Sequence, residues 1–321
     1  MTYLNTTRWI NNDSSITTVD DAISRIISKN GQAIHPRNDN GVDFHDVSVN
    51  KVFDETQVGN YLDSTVKFNS VQGRFEKIRA GEPVDTNFFV IVYQVESSQK
   101  IYFIINRNTD ARRILRSFLD FSGREEVTNY NVELNSNMLL YFVYRVFEGQ
   151  SNFTYTLASA DDLQVSVKNL TGIKGATETS NKLSADGTTI SKLISTLSLL
   201  LEVKELQQVR LDTSMLKHES INISLNDSGL ISIDSNDYVG ILENEPNQEK
   251  QTRLLLHVYL VVLPVILNEY TDASDEDWGA EEISNFMEKI KNQLINKIDQ
   301  FDSKILDQQE LDFSTQENSE N

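Results

Sequence analysis

The chain has 321 residues, of which 39% are hydrophobic, and it contains no cysteine. This length allows one large domain or two ordinary ones with a buried core. The formal net charge of −19 repels nucleic acids and anionic membrane surfaces and favours basic partners. The lack of cysteine excludes disulfides, zinc–thiolate sites and thiol nucleophiles, and it is typical of a reducing compartment.

The negative charge is concentrated in the last quarter of the chain. Residues 241–321 contain 18 Asp or Glu but only 6 Lys or Arg, a net charge of −12. The N-terminus lacks the basic start and apolar segment of a secretory signal. The longest apolar run, Leu254–Leu267, has 14 residues, whereas a membrane span needs about 20. We therefore expect a cytoplasmic protein without a membrane span, in which this run is a core helix kinked at Pro264.

Residues 1–170 predict a mixed α/β lobe built on a central β-hairpin. The run Phe88–Ile105 contains two stretches of β-branched and aromatic residues without a polar face, which indicates strands covered on both sides. Thr18 and Asp21 resemble a capping box and predict the start of a helix. Further expectations are a helix opened by Thr109 or Asp110, helix around Val71–Ala80, strands near Phe153 and Val165, and either helix or strand at Met138–Phe147.

The remaining residues predict a second, more helical lobe. Residues 171–187, rich in Thr, Ser, Gly and Ala, indicate a linker or mobile loop, and Thr188 is expected to cap the next helix. In the lobe of residues 188–307, the Ile221–Ile233 hairpin has one apolar face that C-terminal helices must cover. Residues 308–321 are expected to be a disordered acidic tail. The predicted fold class is therefore α+β.

The last helix carries a sustained apolar seam. Between Ile283 and Ile305, apolar residues recur at mixed three- and four-residue steps. Such a seam packs either on its own domain or on a second copy of the chain. We therefore expect self-association through residues 283–305 as one way in which the protein forms an assembly.

One loop concentrates side chains that bind metals. His35, Asp39, Asp43, His45 and Asp46 supply two imidazoles and three carboxylates within twelve residues. Imidazole and carboxylate groups together hold divalent metal ions. The spacing matches no established metal motif, so the alternative interpretation is a polar surface loop.

A second set of residues suggests metal-dependent phosphodiester chemistry. Asp186 precedes Glu202-Val203-Lys204, and an aspartate followed by Glu-x-Lys is the pattern of many nucleases, in which carboxylates hold Mg²⁺ and lysine assists the attacking water. Because a helix is predicted between these elements, the alternative is a solvated helix end. Gly172-Ile-Lys-Gly175 matches a glycine loop that clamps RNA backbones, but the flanking elements are not in the required order, so a flexible turn is the favoured interpretation.

A single cluster of arginines lies on the predicted second helix and on either side of it. It consists of Arg107, Arg112, Arg113 and Arg116, with Arg124 beyond the helix. Guanidinium groups on one helix face bind phosphates, carboxylates of a partner, or the acidic end of the same protein. This cluster is also the one place where the sequence would allow contact with nucleic acid.

Motifs for nucleotide, dinucleotide, serine-hydrolase, zinc-protease and kinase chemistry do not occur in the sequence. The leading hypothesis is a non-enzymatic intracellular interaction protein or assembly subunit whose acidic surface binds a basic protein partner. The competing hypothesis is a divergent metal-dependent nuclease or phosphodiesterase, for example an accessory or defence protein. No cofactor is expected under the first hypothesis, and Mg²⁺ is expected under the second.

Overall fold

The computed structural model describes residues 3–36, 43–79, 82–123, 125–179, 181–188, 190–191 and 193–317, with side chains throughout except at 79, 275–276 and 301–317. These residues form helices and a large antiparallel sheet, so the predicted α+β class is confirmed. The strands are β1 (Leu4–Asn11), β2 (His45–Lys51), β3 (Gln57–Tyr61), β4 (Ser64–Arg79), β5 (Glu82–Val95), β6 (Tyr102–Ile105), β7 (Val127–Asn129), β8 (Asn152–Thr156), β9 (Asp162–Ala176), β10 (Lys182–Asp186), β11 (Glu205–Met215), β12 (His218–Asn226) and β13 (Ile231–Gly240). The helices are α1 (Val19–Ser28), α2 (Ala111–Phe118), α3 (Ser136–Phe147), α4 (Ile194–Glu202), α5 (Asn247–His257), α6 (Leu263–Glu276) and α7 (Ala280–Glu317), with a π-helical turn, Val258–Val262, between α5 and α6.

Strand β1 joins two antiparallel halves of the sheet. The strand order is β10-β9-β11-β12-β13-β1-β6-β5-β4-β2. Leu4 to Thr6 pair with β13, whereas Thr7 to Ile10 pair with β6. The backbone groups of one short strand therefore hold together the strands that come from the two ends of the chain.

The apolar side chains lie in two layers. In the first layer, α1 and α2 pack on one face of the β4–β6 region. In the second, the opposite face of the same strands packs with α3 to α6 and the inner face of the β9–β13 region. Phe88, Val90 and Val92 enter the first layer, and Phe89 and Ile91 enter the second. The prediction that this hairpin is central and covered on both sides is confirmed.

The helix through α5 and α6 is the core of the second layer. Residues Asn247–Ser274 are long and apolar enough to cross a membrane, judged by length and composition. Its apolar side chains are nevertheless buried against both halves of the sheet, as in the core helix of a soluble protein. The π-helical turn ends two residues before Pro264. A proline ring is incompatible with regular α-helical hydrogen bonding to the preceding turn, which accounts for the irregular turn at this place. Tyr259 in this turn hydrogen-bonds Thr6 of β1, with 3.1 Å between the hydroxyls.

Two sequence expectations in the first half need revision or completion. Val71 to Arg79 belong to strand β4 and not to a helix, while Ala80 lies outside the described residues. Met138–Phe147, which was left open, lies in helix α3. The capping box at Thr18 and Asp21, the helix after Asp110 and the two strands of the Phe88–Ile105 run are confirmed.

Three expectations in the second half are wrong. A β-hairpin, formed by the end of β9 and by β10, occupies the segment 171–187 where a linker was predicted. Helix α4 begins at Ile194 after Leu193 at the N-cap position, so Thr188 does not cap it. Residues 308–317, predicted to belong to a disordered tail, continue helix α7, and residues 318–321 lie outside the described residues. The Ile221–Ile233 hairpin is confirmed.

Candidate functional site

The most distinctive surface feature of the second layer is a cavity of about 610 Å³ between α3, the end of α6 and the start of α7. We call it the acidic cavity. Its wall combines three aromatic rings, four carboxylates and one guanidinium group. The lining residues are Tyr141, Tyr144, Arg145, Gln150, Glu269, Asp272, Ala273, Asp277, Trp278 and Glu282.

Helical periodicity brings these side chains to one place. Tyr141, Tyr144 and Arg145 are three and four residues apart on α3, so they share one helix face. Glu269 and Asp272 have the same relation on α6. Helix α3 is fixed at its start by Asn135, whose side chain accepts a hydrogen bond from the Met138 N–H at 2.9 Å.

Trp278 lies in the connection between α6 and α7 and forms the aromatic wall. The Asp277 and Trp278 N–H groups both donate to the Ala273 carbonyl, at 2.8 and 2.7 Å, which ends α6 and turns the chain back. The indole ring centroid is 5.4 Å from that of Tyr141 and 4.8 Å from that of Tyr144. The side chain is 6% exposed, and its Nε1–H has no acceptor among the described residues.

The single guanidinium group in the wall is fully engaged within the protein. Arg145 donates to Glu269 Oε1 at 2.7 Å, to the Tyr141 hydroxyl at 2.5 Å, and to the Gln150 and Asn152 carbonyls. It therefore neutralises Glu269. The nearby Lys289 pairs with Glu148, at 2.9 Å. The carboxylates of Asp272, Asp277 and Glu282 have no such cationic partner among the ion pairs of the described side chains.

The local field in the acidic cavity is negative. Burial raises the pKa of Tyr144, and the neighbouring Glu282 carboxylate, which accepts its hydroxyl hydrogen bond at 3.2 Å, raises it further. Burial also raises the pKa of Tyr141; Arg145 opposes this change, and Glu269 and Asp272 add to it. The C-terminus of a helix carries partial negative charge, and the last turn of α6 contains no basic residue.

The predicted metal loop is only partly within the described residues. His35 Nδ1 lies 2.9 Å from Asp43 Oδ2, because an antiparallel bridge between Ile34 and Phe44 brings the two ends of the loop together. His45 begins β2, and the exposed Asp46 follows it in a left-handed conformation with φ of 47°. Asp39 lies outside the described residues. Within those residues, no group of three His, Asp or Glu side chains is placed to hold a metal ion.

The nuclease-like residues lie in two separate places. Asp186 is on β10, opposite Gly172 of β9, and its carboxylate pairs with Arg210 at 2.5 Å. Glu202 ends α4, and it lines a different cavity together with Lys204. The backbone N–H of Lys204 donates to the Ala176 carbonyl. Gly172 and Ala176 are four positions apart on β9, which is about 13 Å along a strand. The structure therefore does not bring the three residues together, and Gly172 and Gly175 lie within a strand and not in a loop.

The four described arginines of the predicted cluster all contact the protein itself. Arg107 forms two hydrogen bonds with Asp110, at 2.8 and 2.6 Å. Burial alone would raise the pKa of Asp110, but Arg107 and Lys77 lower it below its usual value. The guanidinium groups of Arg112 and Arg113 lie over the rings of Trp9 and Phe44, at 5.5 and 5.2 Å. Arg116 is buried and donates to the Ser122 carbonyl, so it does not share an exposed helix face with the other arginines. Arg124 lies outside the described residues.

The predicted seam of α7 changes its environment along the helix. Phe286 and Ile290 are buried against the second layer, and Met287 and Leu294 pack at its edge. Further along, Ile295 and Ile298 are 46% and 45% exposed. The first part of the seam therefore packs on its own domain, and apolar residues continue beyond the contact. The side chains of residues 301–305 are outside the described part.

The acidic cavity was not predicted from the sequence. Its aromatic residues lie in an apolar run near residue 141 and in a connection near residue 278, and the tertiary packing alone brings them together. One signal was present: Arg145 is the only charged residue between Met138 and Phe147. No protein-family model matches the chain, and a search of curated proteins found no significant match.

Proposed function

We propose that this protein is a non-enzymatic, cytoplasmic interaction protein that binds a basic protein partner through its acidic C-terminal surface. The observation that carries the proposal is the acidic cavity, where four carboxylates face one internally paired guanidinium group. The cavity belongs to the part of the chain that has a net charge of −12. An uncompensated surface of one sign attracts partners of the opposite sign and accelerates their association.

A labelled octa-arginine peptide tests this proposal. Its fluorescence anisotropy should report binding that weakens steeply between low and high salt, since exposed charges are screened within about 10 Å at 0.1 M ionic strength. An octa-citrulline peptide has nearly the same shape without the charge and should not bind. Equal binding of the two peptides, or binding indifferent to salt, would contradict the proposal.

A second function rests on a different observation. Ile295 and Ile298 of α7 are exposed, and so are Leu193, Ile194 and Leu201 on or beside α4, the helix that packs against α7. We propose that this apolar surface binds a second copy of the chain, so that the protein is a subunit of a homo-oligomer. Sedimentation velocity of the intact protein over a range of concentrations tests this function, and a monomer at all concentrations would contradict it.

The nuclease hypothesis gains no support from a specific contact. Its candidate residues Asp186, Glu202 and Lys204 lie apart, and Asp186 is already paired with Arg210.

A further inference from the structure

We infer that the acidic cavity is a receptor for one arginine side chain of the basic partner. The inference rests on the proposed function and deepens it, because it assigns the recognition to a single concave site in place of a diffuse acidic surface. The site lies between α3, α6 and α7 and uses aromatic stacking together with carboxylate pairing. Each of these contributions follows from a separate feature of the cavity wall.

The aromatic wall suits a planar cation. Trp278, Tyr141 and Tyr144 present three rings at centroid separations of 4.8 to 6.3 Å. A guanidinium group stacks on such rings and is attracted by their negative faces, most strongly by tryptophan. The protein already shows this chemistry at the same wall, where the Arg145 guanidinium carbon is 5.6 Å from the Tyr141 ring centroid and 4.8 Å from that of Phe153.

The carboxylates provide the charge for a second guanidinium group. Glu282 accepts a hydrogen bond from Tyr144, which holds it at the wall, and Asp272 is held by Asn268, whose amide donates to it at 3.2 Å. Neither carboxylate has a cationic partner among the described ion pairs. The negative end of α6 adds to their field. Arginine is preferred at such sites because its fork of N–H donors can bond more than one carboxylate.

An observation independent of the carboxylates also points to a bound group. Only 6% of Trp278 is exposed, yet its Nε1–H lacks an acceptor among the described residues. A buried donor without an acceptor is costly, and such groups in folded proteins call for an explanation.

The cavity has room for this occupant. Its volume of about 610 Å³ falls within the range of roughly 300–1,000 Å³ typical of ligand sites. Arg145 and Glu269 already satisfy each other. The incoming group therefore pairs with the remaining carboxylates of the wall, Asp272, Asp277 and Glu282.

A single-arginine peptide, acetyl-Gly-Arg-Gly-amide, is the probe. The indole N–H signals of the two tryptophans in a proton–nitrogen correlation spectrum report on the cavity and on a distant control, because Trp9 lies in the first layer. The Trp278 signal, assigned by its loss in Trp278→Phe, should shift saturably with the peptide. The Trp9 signal should not shift, and the citrulline analogue should leave both signals unchanged.

Paired substitutions distinguish the cavity from the surrounding surface. Asp272→Asn with Glu282→Gln should weaken the binding of the peptide about tenfold or more, a loss of about 1.4 kcal/mol or more. Glu281→Gln with Glu288→Gln removes the same charge from α7 outside the cavity, and it should change the dissociation constant less than about twofold. All four side chains are at least partly exposed, so both variants should fold, and an unchanged spectral dispersion confirms this.

The possible results distinguish the arginine site from the proposed function of binding a basic partner. No shift of the Trp278 signal, or equal weakening by both pairs of substitutions, would overturn the arginine site. If octa-arginine then still binds with strong salt dependence, the acidic surface acts diffusely and the proposed function stands. If octa-arginine fails to bind at all, the proposed function and the arginine site both fail.

Discussion

The buried His218 and the partly buried His257 lie together between the second half of the sheet and the core helix. Their ring centroids are 4.6 Å apart, and His218 Nδ1 lies 2.8 Å from the Tyr238 hydroxyl. Burial, and then the neighbouring His257, lowers the pKa of His218 to about 4. Burial also lowers the pKa of His257. Tyr61 and Arg253 are the other titratable groups beside the pair.

Acid should therefore destabilise the protein. An unfolded histidine has a pKa of about 6.5, so between about pH 6.5 and pH 4 the unfolded state binds protons that the folded state does not. The contribution of His218 to the free energy of unfolding is fully present above this range and decreases as the pH falls through it, by roughly 2 kcal/mol at pH 5. Urea denaturation at neutral pH and near pH 5 measures the loss. His218→Asn keeps an acceptor for Tyr238 and should reduce the dependence, and an identical dependence in the variant would contradict the assignment.

At the scale of single elements, α7 allows the core contact to be separated from the exposed seam. Ile290 is fully buried, so Ile290→Glu should destabilise the fold by several kcal/mol through a buried unpaired charge. Ile295→Glu with Ile298→Glu should leave the thermal midpoint nearly unchanged, because both side chains are exposed, but should produce a monomer if the wild type self-associates. Sedimentation velocity and thermal unfolding of the variants decide this. An oligomer that survives the exposed substitutions would place its interface elsewhere.

Strand β4 and the second half of β9 were not predicted, because glycine interrupts their patterns of apolar residues. In β4, Val71, Gly73 and Phe75 point to the same buried side. A Cβ atom at Gly73 would lie 2.2 Å from the ring of Phe88, so the large ring of the next strand fills the place of the missing side chain. The alternation of apolar residues is therefore hidden in the sequence, and the prediction of a helix around Val71–Ala80 is wrong for Val71 to Arg79.

The end of β9 shows the same effect. A Cβ atom at Gly172 would lie 2.8 Å from Asp186 Oδ1 and 2.9 Å from Arg210 Cδ, so glycine lets this ion pair cross the strand. Its composition of small and polar residues resembles a linker, although the segment is paired on both sides. In contrast, the Phe88–Ile105 and Ile221–Ile233 hairpins were predictable, because each apolar position there is filled by its own side chain. The acidic cavity was not, because α3 and the α6–α7 connection lie far apart in sequence.

At the scale of the whole molecule, two regions differ in how their charged side chains are paired. Around α2, the described arginines are engaged in contacts within the protein. Around the start of α7, carboxylates outnumber the cations that could neutralise them. Long-range attraction of a cationic partner should therefore be directed to the α6–α7 end.

Site-specific photocrosslinking in an extract of the native host tests this claim most directly. A photoreactive amino acid is placed at Glu281, which is exposed at the start of α7, or at Glu125, which is exposed in the connection between α2 and β7. We predict that position 281 captures a basic protein, that high salt or added octa-arginine abolishes the capture, and that position 125 does not capture this protein. Equal capture at both positions, or capture at 281 of a protein without a basic surface, would contradict the account.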